Sequence, residues 1–428
     1  MGRAYPYYVV ACLMLASAFS FLDRLVLSLL IDPIRKAMHL SDTEVSLLAG
    51  LAFASCYVVF AFGFGRWVDA CSRKGAMVVG ITLWSVATAL CGAARSYWQL
   101  FAARMGVGVG EASLNPAAYS MIADYFPVGR RGIAMSIFAC GASLGGGLAI
   151  LAGGVVVQWA FAERLHWPVL GPVEPWQFVF GAVGLPGLLV ALLVALTVRE
   201  PARRLPTQDS AAPPQLDQVL RFVREHWRTF LPVFLGYGAF AMNGYAFQLW
   251  GPAFFIRLHG LSPAQAGLVF GIGYGLGGTA AILLGGAISD ALARRGRVEG
   301  PILAAVLELP CFLIAYLSAG TPLAIAGFAG GIFAASLVGG VQAALVQSLA
   351  PNRMRGLLAA LFGATVNVAG LGLAPTLTAG LSDHVFGGPT GIGYALAATT
   401  VLAMIASIVL LMVGLPHARS LARELQDG

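Results

Sequence analysis

The sequence predicts an all-α integral membrane protein of twelve transmembrane helices in two six-helix bundles, and three observations predict it. The 428-residue chain is 58% hydrophobic and only 11% charged, with a mean hydropathy of +0.81, whereas soluble domains carry about 25% charged residues. Apolar runs of about 18 residues or more recur along the whole length, each long enough to cross a core of about 30 Å as a helix. A membrane barrel would instead alternate over about ten residues. The third observation is that the loops of the first half return in the second.

In the amino half the spans run near residues 8–30, 43–64, 76–94, 97–121, 133–158 and 176–198. The first follows Arg3 with no small-residue cleavage site before it, so it is expected to remain as a helix rather than leave as a signal peptide. The fourth carries Arg104 and Glu111 through an otherwise apolar stretch, and the fifth holds the glycine cluster GASLGGGLAILAGG (141–154). Residues 199–228 form a polar linker in which REPARR and PTQDS precede an amphipathic piece, QLDQVLRFVREHW. In the other half the spans run near 229–256, 263–288, 300–318, 322–349, 357–380 and 391–415. Helix 7, AMNGYAFQLWGP, is expected to break near Gly251 and Pro252. The GIGYGLGG of helix 8 satisfies G-x-G-x-x-G at Gly273–Gly278, but it follows no strand, so it reads as close helix packing rather than a nucleotide loop.

The domains expected are therefore an amino-terminal bundle (1–198), a cytoplasmic linker (199–228) and a carboxyl-terminal bundle (229–428). Arg66, Arg73, Lys74, Arg130, Arg131, Arg294, Arg295, Arg353, Arg355, Arg419 and Arg423 all fall on one side of this topology. The positive-inside rule makes that side the cytoplasm, with both termini there and the chain multi-pass in the inner cell membrane. The net charge of +7 is thereby explained by topology, and no nucleic-acid partner is expected.

The loop after the second span reads GRWVDACSRK (65–74), and the loop after the eighth reads GAISDALARR (286–295). FPVGRRG (126–132) and APNRMRG (350–356) correspond in the same way. Such a parallel repeat of six helices is one of the architectures of secondary transporters. On these motifs, with Leu100, Arg104, Gly108 and Gly110 in the fourth span, the whole chain resembles the major facilitator superfamily. Ala70 stands where that family usually has a basic residue and Ser72 where it has glycine, with Ala291 and Ala293 likewise. Within the superfamily the chain resembles the Spinster family, through FLDR (21–24), GVGEAS (108–113) with Pro116, and VFGAVGLPGLL running on to VREPAR (179–203). The resemblance implies secondary transport of lysophospholipids, sphingolipid phosphates or related amphipathic molecules, often with proton coupling.

An ionisable group at membrane depth costs from about 2.5 kcal/mol upward and normally faces a bundle interior or a water-filled cavity. Asp23 and Arg24 lie roughly 22 Å from the cytoplasmic edge, with Arg104 near 10 Å and Glu111 near 21 Å from the outer edge at ~1.5 Å per residue. Asp23 and Arg104 thus share a depth, and the two either form a structural ion pair or belong, with Arg24 and Glu111, to a functional cluster. Glu111 and Asp23 are the expected proton carriers, and Arg24 and Arg104 the expected partners of an anionic substrate. Glu308 on helix 9 is expected to be structural, satisfied by a neighbouring helix. Asn243, Tyr245, Gln248, Trp250, Gln342, Gln347 and Asn367 are the candidates for an apolar and aromatic cavity wall, with interhelical hydrogen bonding the equal alternative for each polar one. Gly65, Asp69 and Arg73, with their repeats Gly286, Asp290 and Arg294, are expected to form the conformational gate.

This pattern predicts a proton-coupled transporter of an amphipathic organic anion that works by alternating access. The partners expected are a lipid or small-molecule substrate, protons and the bilayer, with the chain a monomer. The alternative within the family is a small organic anion or drug-like compound carried by symport or antiport. A membrane enzyme would want a nucleophile or metal cluster, and the six histidines are isolated while the six cysteines show no metal-ligand spacing. A non-transporting sensor would keep the fold without the buried charges. No G-x-x-x-x-G-K loop exists, so the energy source expected is the proton gradient, with no cofactor.

Overall fold

The computed structural model describes residues 4–162, 166–167, 171–172, 174–203, 216–281, 284, 300–337, 342, 345, 349, 351, 354–388 and 390–427. The described residues are helical almost throughout. Helix α1 (Tyr5–Met38) stops at His39, which takes a left-handed φ of 55° while its N–H caps the Arg35 carbonyl. A capping box of Ser41 and Glu44 starts α2, which runs as Asp42–Ser46, a π turn at Leu47–Leu51, and Ala52–Ala70. Ser72 caps α3 (Arg73–Ala93), and Ser96 caps α4 (Tyr97–Glu111). The fourth expected span is interrupted at residues 112–113, and the chain continues as α5 (Leu114–Tyr125). Helices α6 (Val128–Ala162) and α7 (Pro175–Thr197) complete the amino half, with a two-residue antiparallel pairing of His166–Trp167 and Gly171–Pro172 in the loop between them.

The amphipathic linker piece forms α8 (Leu216–Glu225), and α9 (Trp227–His259) follows it directly. Helix α9 does not break at Gly251 and Pro252. Trp250, Pro252, Ala253, Phe254 and Phe255 are all buried there, and a helix packed on every side can absorb the hydrogen bond that a proline forfeits. Helix α10 (Pro263–Ile272) continues through a π turn at Gly273–Gly278, and α11 (Gly300–Leu317) and α12 (Thr321–Ser336) follow. Helix α13 is assembled from Arg355–Asn367, Val368–Leu373, Ala374–Leu381 and Ser382–Phe386, with π turns as its second and fourth parts. The last helix, α14 (Gly391–Asp427), runs well past the expected end near 415. Setting α8 aside and counting α4 with α5 as one crossing, these helices fall where the twelve spans were expected. Among the described residues, seven helices are long and apolar enough to cross a membrane by length and composition alone.

The chain forms two compact units: Met1–Arg204 with Gln248–Leu276, and Leu205–Phe247 with Gly277–Gly428. Compactness and the sequence repeat therefore divide the chain differently, because residues 248–276 group with the amino-terminal unit. In that unit α1 lies along α6, α3 along α7, α2 and α3 both pack on α4, and the start of α10 packs on α6. The last contact needs bare backbone: a Cβ on Gly147 would lie 2.6 Å from the Gly275 Cα and 2.8 Å from the Gly271 carbonyl oxygen. At the end of α9, Arg257 donates from Nε to Asp32 at 2.9 Å and from both Nη atoms to the two oxygens of Asp42 at 2.7 and 2.9 Å. That clamp ties α9 to α1 and α2. In the second unit α11 packs on α12 and α14, and α8 lays Val219, Phe222 and Val223 against Phe230, Leu358, Leu415 and Leu421.

Candidate functional site

Glu111 closes α4, and its carboxyl is fully buried. One oxygen, Oε2, accepts from Ser20 Oγ at 2.7 Å and from Arg24 Nε at 2.5 Å. The other, Oε1, has no hydrogen-bond partner. Both donors come from α1, where residues four apart share a face. The Arg24 guanidinium also lies 5.1, 4.7 and 5.1 Å from the ring centres of Phe21, Phe53 and Tyr57. An aromatic cage of this kind stabilises a cation that has lost part of its water. Arg104 reaches the same Phe53 ring at 5.7 Å.

The pairing differs from the one that depth suggests. Consecutive helical residues point about 100° apart, so Arg24 turns to α2 and α4 while Asp23 turns to α3. There Asp23 is 2% exposed and accepts from Thr88 Oγ1 at 3.2 Å, and its Oδ1 has no hydrogen-bond partner. Arg104 is 1% exposed, and its Nε and Nη1 likewise lack hydrogen-bond partners. It forms no ion pair within 4.0 Å with Asp23, although each of the other three charges lies within electrostatic reach of Asp23. The four charges expected from the sequence are thus one cluster, closed by a direct Arg24–Glu111 bond. Arg24, at 17% side-chain exposure, is more accessible than Arg104.

The residues expected along the cavity wall take different places. In the second unit Asn243 is buried: its amide donates to Glu308 Oε1 at 2.5 Å and its carbonyl accepts from Thr400 at 2.5 Å. This triad joins α9, α11 and α14 and supplies the neighbour expected for Glu308. Tyr245 donates to Asn367 Oδ1 at 3.4 Å, and Asn367 is held by the Gly363 carbonyl at 2.9 Å. Gln342 is half-buried, and Gln347 lies outside the described residues. In the first unit Gln248 is half-buried, and Trp250 is fully buried with Arg257 5.7 Å from its ring centre.

Of the expected gate, Gly65 and Asp69 lie in the last turns of α2, while Gly286, Asp290 and Arg294 lie outside the described residues. Arg73 is 1% exposed and bonds to acids that the loop repeat does not single out. Its Nη1 donates to Asp124, its Nε to Glu200 Oε1 at 2.7 Å, and its Nη2 to the Pro201 carbonyl at 2.6 Å. Ser72 and the Lys74 N–H add donors to Glu200 Oε2 at 2.9 and 2.8 Å. Partial burial works against the Glu200 charge, but Arg73, Lys74 and Ser72 outweigh it and hold the carboxyl below the ordinary 4.5. Glu200 belongs to the VREPAR segment, so its signal was in the sequence without its role. Ser72, which replaces a glycine of the family pattern, supplies both a helix cap and one of these donors.

The family model of the Major Facilitator Superfamily matches residues 13–307. The chain belongs to that superfamily. It is 30% identical over 299 residues to an MFS-type efflux pump of Mycolicibacterium smegmatis, covering 69% of this chain and 65% of that protein. It is 30% identical over 325 residues to protein spinster homolog 1 of Rattus norvegicus, covering 71% of this chain and 58% of the relative. The matched regions thus span less than two thirds of either relative's length. Among solved structures, a bacterial homolog of the human lysosomal transporter Spinster, inward-facing and unoccupied, superposes with a TM-score of 0.81 at 25% identity, over 100% of this chain and 99% of that one. This major facilitator chain is therefore a multi-pass membrane protein of Spinster type, and its relatives are transport proteins rather than enzymes.

Proposed function

We propose that this chain is a proton-coupled secondary transporter for an amphipathic organic anion of the lysophospholipid or sphingolipid-phosphate kind. The observation that carries the reading is the Arg24–Glu111 bond, a buried acid held by a cation that keeps 17% of its side chain exposed. An anionic head that engages Arg24 competes with Glu111 for it. The carboxylate so released has only Ser20 as a hydrogen-bond donor, and a charge stranded at that depth is relieved by taking up a proton. Substrate loading and proton loading then become one equilibrium. Asp23, within electrostatic reach of Glu111, is the second titrating group, and Arg104 balances the cluster's charge from within.

In this reading the repeat halves 1–198 and 229–428 rock about the cluster, with Asp69, Arg73, Asp290 and Arg294 on the cytoplasmic gate. Both termini lie in the cytoplasm, the membrane is the inner cell membrane, and the working unit is a monomer. The likeness to a mycobacterial efflux pump favours a second reading, the export of drug-like compounds against protons. Uptake into proteoliposomes with and without an imposed pH gradient tests both. Glu111→Gln keeps the shape of the protonated acid, so it should retain exchange and lose gradient-driven accumulation. A parent protein indifferent to the gradient would end the proton-coupled reading, and Arg24→Lys transporting like the parent would end the role of Arg24.

A further inference from the structure

Beside Arg24 stand two neutral groups: Tyr57, whose ring belongs to the aromatic cage but whose hydroxyl has no role above, and Asn115, which has none at all. Helix α2 places Tyr57 one turn beyond Phe53, with its ring stacked on Phe53 at 5.5 Å between centroids and 5.1 Å from the Arg24 guanidinium. Helix α5, restarting after the break at 112–113, places Asn115 four residues beyond Glu111. Asn115 donates from Nδ2 to the Tyr57 hydroxyl at 3.1 Å. Asn115 is exposed and Tyr57 half-buried. An exposed amide at membrane depth is costly against lipid tails, which favours a water-lined face for this pair.

We propose that Tyr57 and Asn115 form an oxyanion subsite that makes the Arg24 site selective for tetrahedral, three-oxygen heads such as a phosphate monoester over carboxylates. The inference rests on the anion reading above, which already includes phosphate-bearing lipids, and goes beyond it by assigning the choice of head group to Tyr57 and Asn115. A hydroxyl that accepts from an amide is oriented, and its own hydrogen remains to be donated. A guanidinium fork matches two oxygens in one plane. A carboxylate has only those two oxygens to offer, whereas a phosphate monoester presents a third to a donor beside the fork. Tyr57 is that donor, and Asn115 is the positioning residue that aims it. The apolar tail follows along the exposed ring of Tyr119, one turn beyond Asn115 on α5.

The test uses the full chain in nanodiscs of zwitterionic lipid, with dodecyl phosphate and dodecanoate as matched probes and affinity read by the shift in melting temperature. The parent should bind dodecyl phosphate at least about tenfold more tightly, since a hydrogen bond to a charged group is worth ~1.5 kcal/mol or more. Tyr57→Phe keeps the caging ring, so it should erase that preference, lowering phosphate affinity while leaving dodecanoate affinity, read against the variant's own probe-free melting temperature, unchanged. Asn115→Ala should weaken phosphate binding in part, and Asn115→Gln should restore some of it. If both probes bind the parent equally, or Tyr57→Phe keeps the preference, the subsite is wrong while the anion reading stands. If neither probe binds the parent, the anion reading falls and the subsite falls with it.

Discussion

Breaking the Arg24–Glu111 bond from its two sides should give unequal losses of stability, and the inequality follows from the surroundings of each partner. Removing one member of a buried ion pair costs about 3–5 kcal/mol, because the other charge is left uncompensated. After Glu111→Gln, the stranded Arg24 still has its aromatic cage and 17% exposure, so the loss should sit near ~3 kcal/mol. After Arg24→Gln, the stranded Glu111 has 0% side-chain exposure and a single donor in Ser20, so the loss should approach ~5 kcal/mol. The double variant strands nothing and should lose less than the sum, leaving a coupling of at least about 2 kcal/mol. Equilibrium unfolding in mixed micelles, read as a double-mutant cycle, measures all three. Acidification supplies a control: relative to the parent at the same pH, it should narrow the deficit of Arg24→Gln, whose stranded carboxylate can take a proton, and bring no such gain to Glu111→Gln. Additive losses within ~0.5 kcal/mol, or a larger loss from Glu111→Gln than from Arg24→Gln, would refute the reasoning.

Three further outcomes follow from the scaffold. Glu200 is held below the ordinary 4.5, so the stability it lends is fully present above that value and is lost as pH falls through the lower folded value; Glu200→Gln should flatten the acid limb of the melting-temperature profile and lower its neutral plateau. Gly147→Ala puts a methyl against the Gly275 backbone and should cost about 1–3 kcal/mol, measurable by the same unfolding assay, whereas Gly244→Ala, with nothing within 4 Å of the added Cβ, should not. Arg257→Gln removes the fork to Asp42 and the bond to Asp32. It should speed maleimide labelling of a Ser28→Cys reporter, buried on the adjoining stretch of α1, by about tenfold for each 1.4 kcal/mol by which local opening becomes easier.

Much of the architecture was legible because membrane helices announce themselves by length and apolarity, and the repeat loops then fix their pairing in sequence. The faults lie where local rules were outvoted by packing. Pro252 breaks an isolated helix, but Trp250, Phe254 and Phe255 bury the turn around it, and α9 runs through. Asn243 looked like a cavity residue because it is polar. Of the two roles open to it, interhelical bonding won: it is a buried brace between Glu308 and Thr400, and no periodicity in one helix reports what the helices opposite will offer.

The ionic cluster shows the same boundary more sharply. Counting residues along α1 and α4 yields depth, and depth brought Asp23, Arg24, Arg104 and Glu111 together. Which acid meets which base is a question of azimuth, and the 100° between Asp23 and Arg24 sends one to Thr88 and the other to Glu111. A charged group in a membrane is conspicuous because it is expensive, so sequence reading finds it even where its partner stays open. Tyr57 and Asn115 cost far less, and nothing in composition or spacing separates them from ordinary helix-packing residues. Their claim to a role comes only from a 3.1 Å hydrogen bond between two helices beside a caged arginine. In the proposed reading, charge marks where the anion is held, and the neutral donors around that charge, visible only once the helices are packed, select its head group.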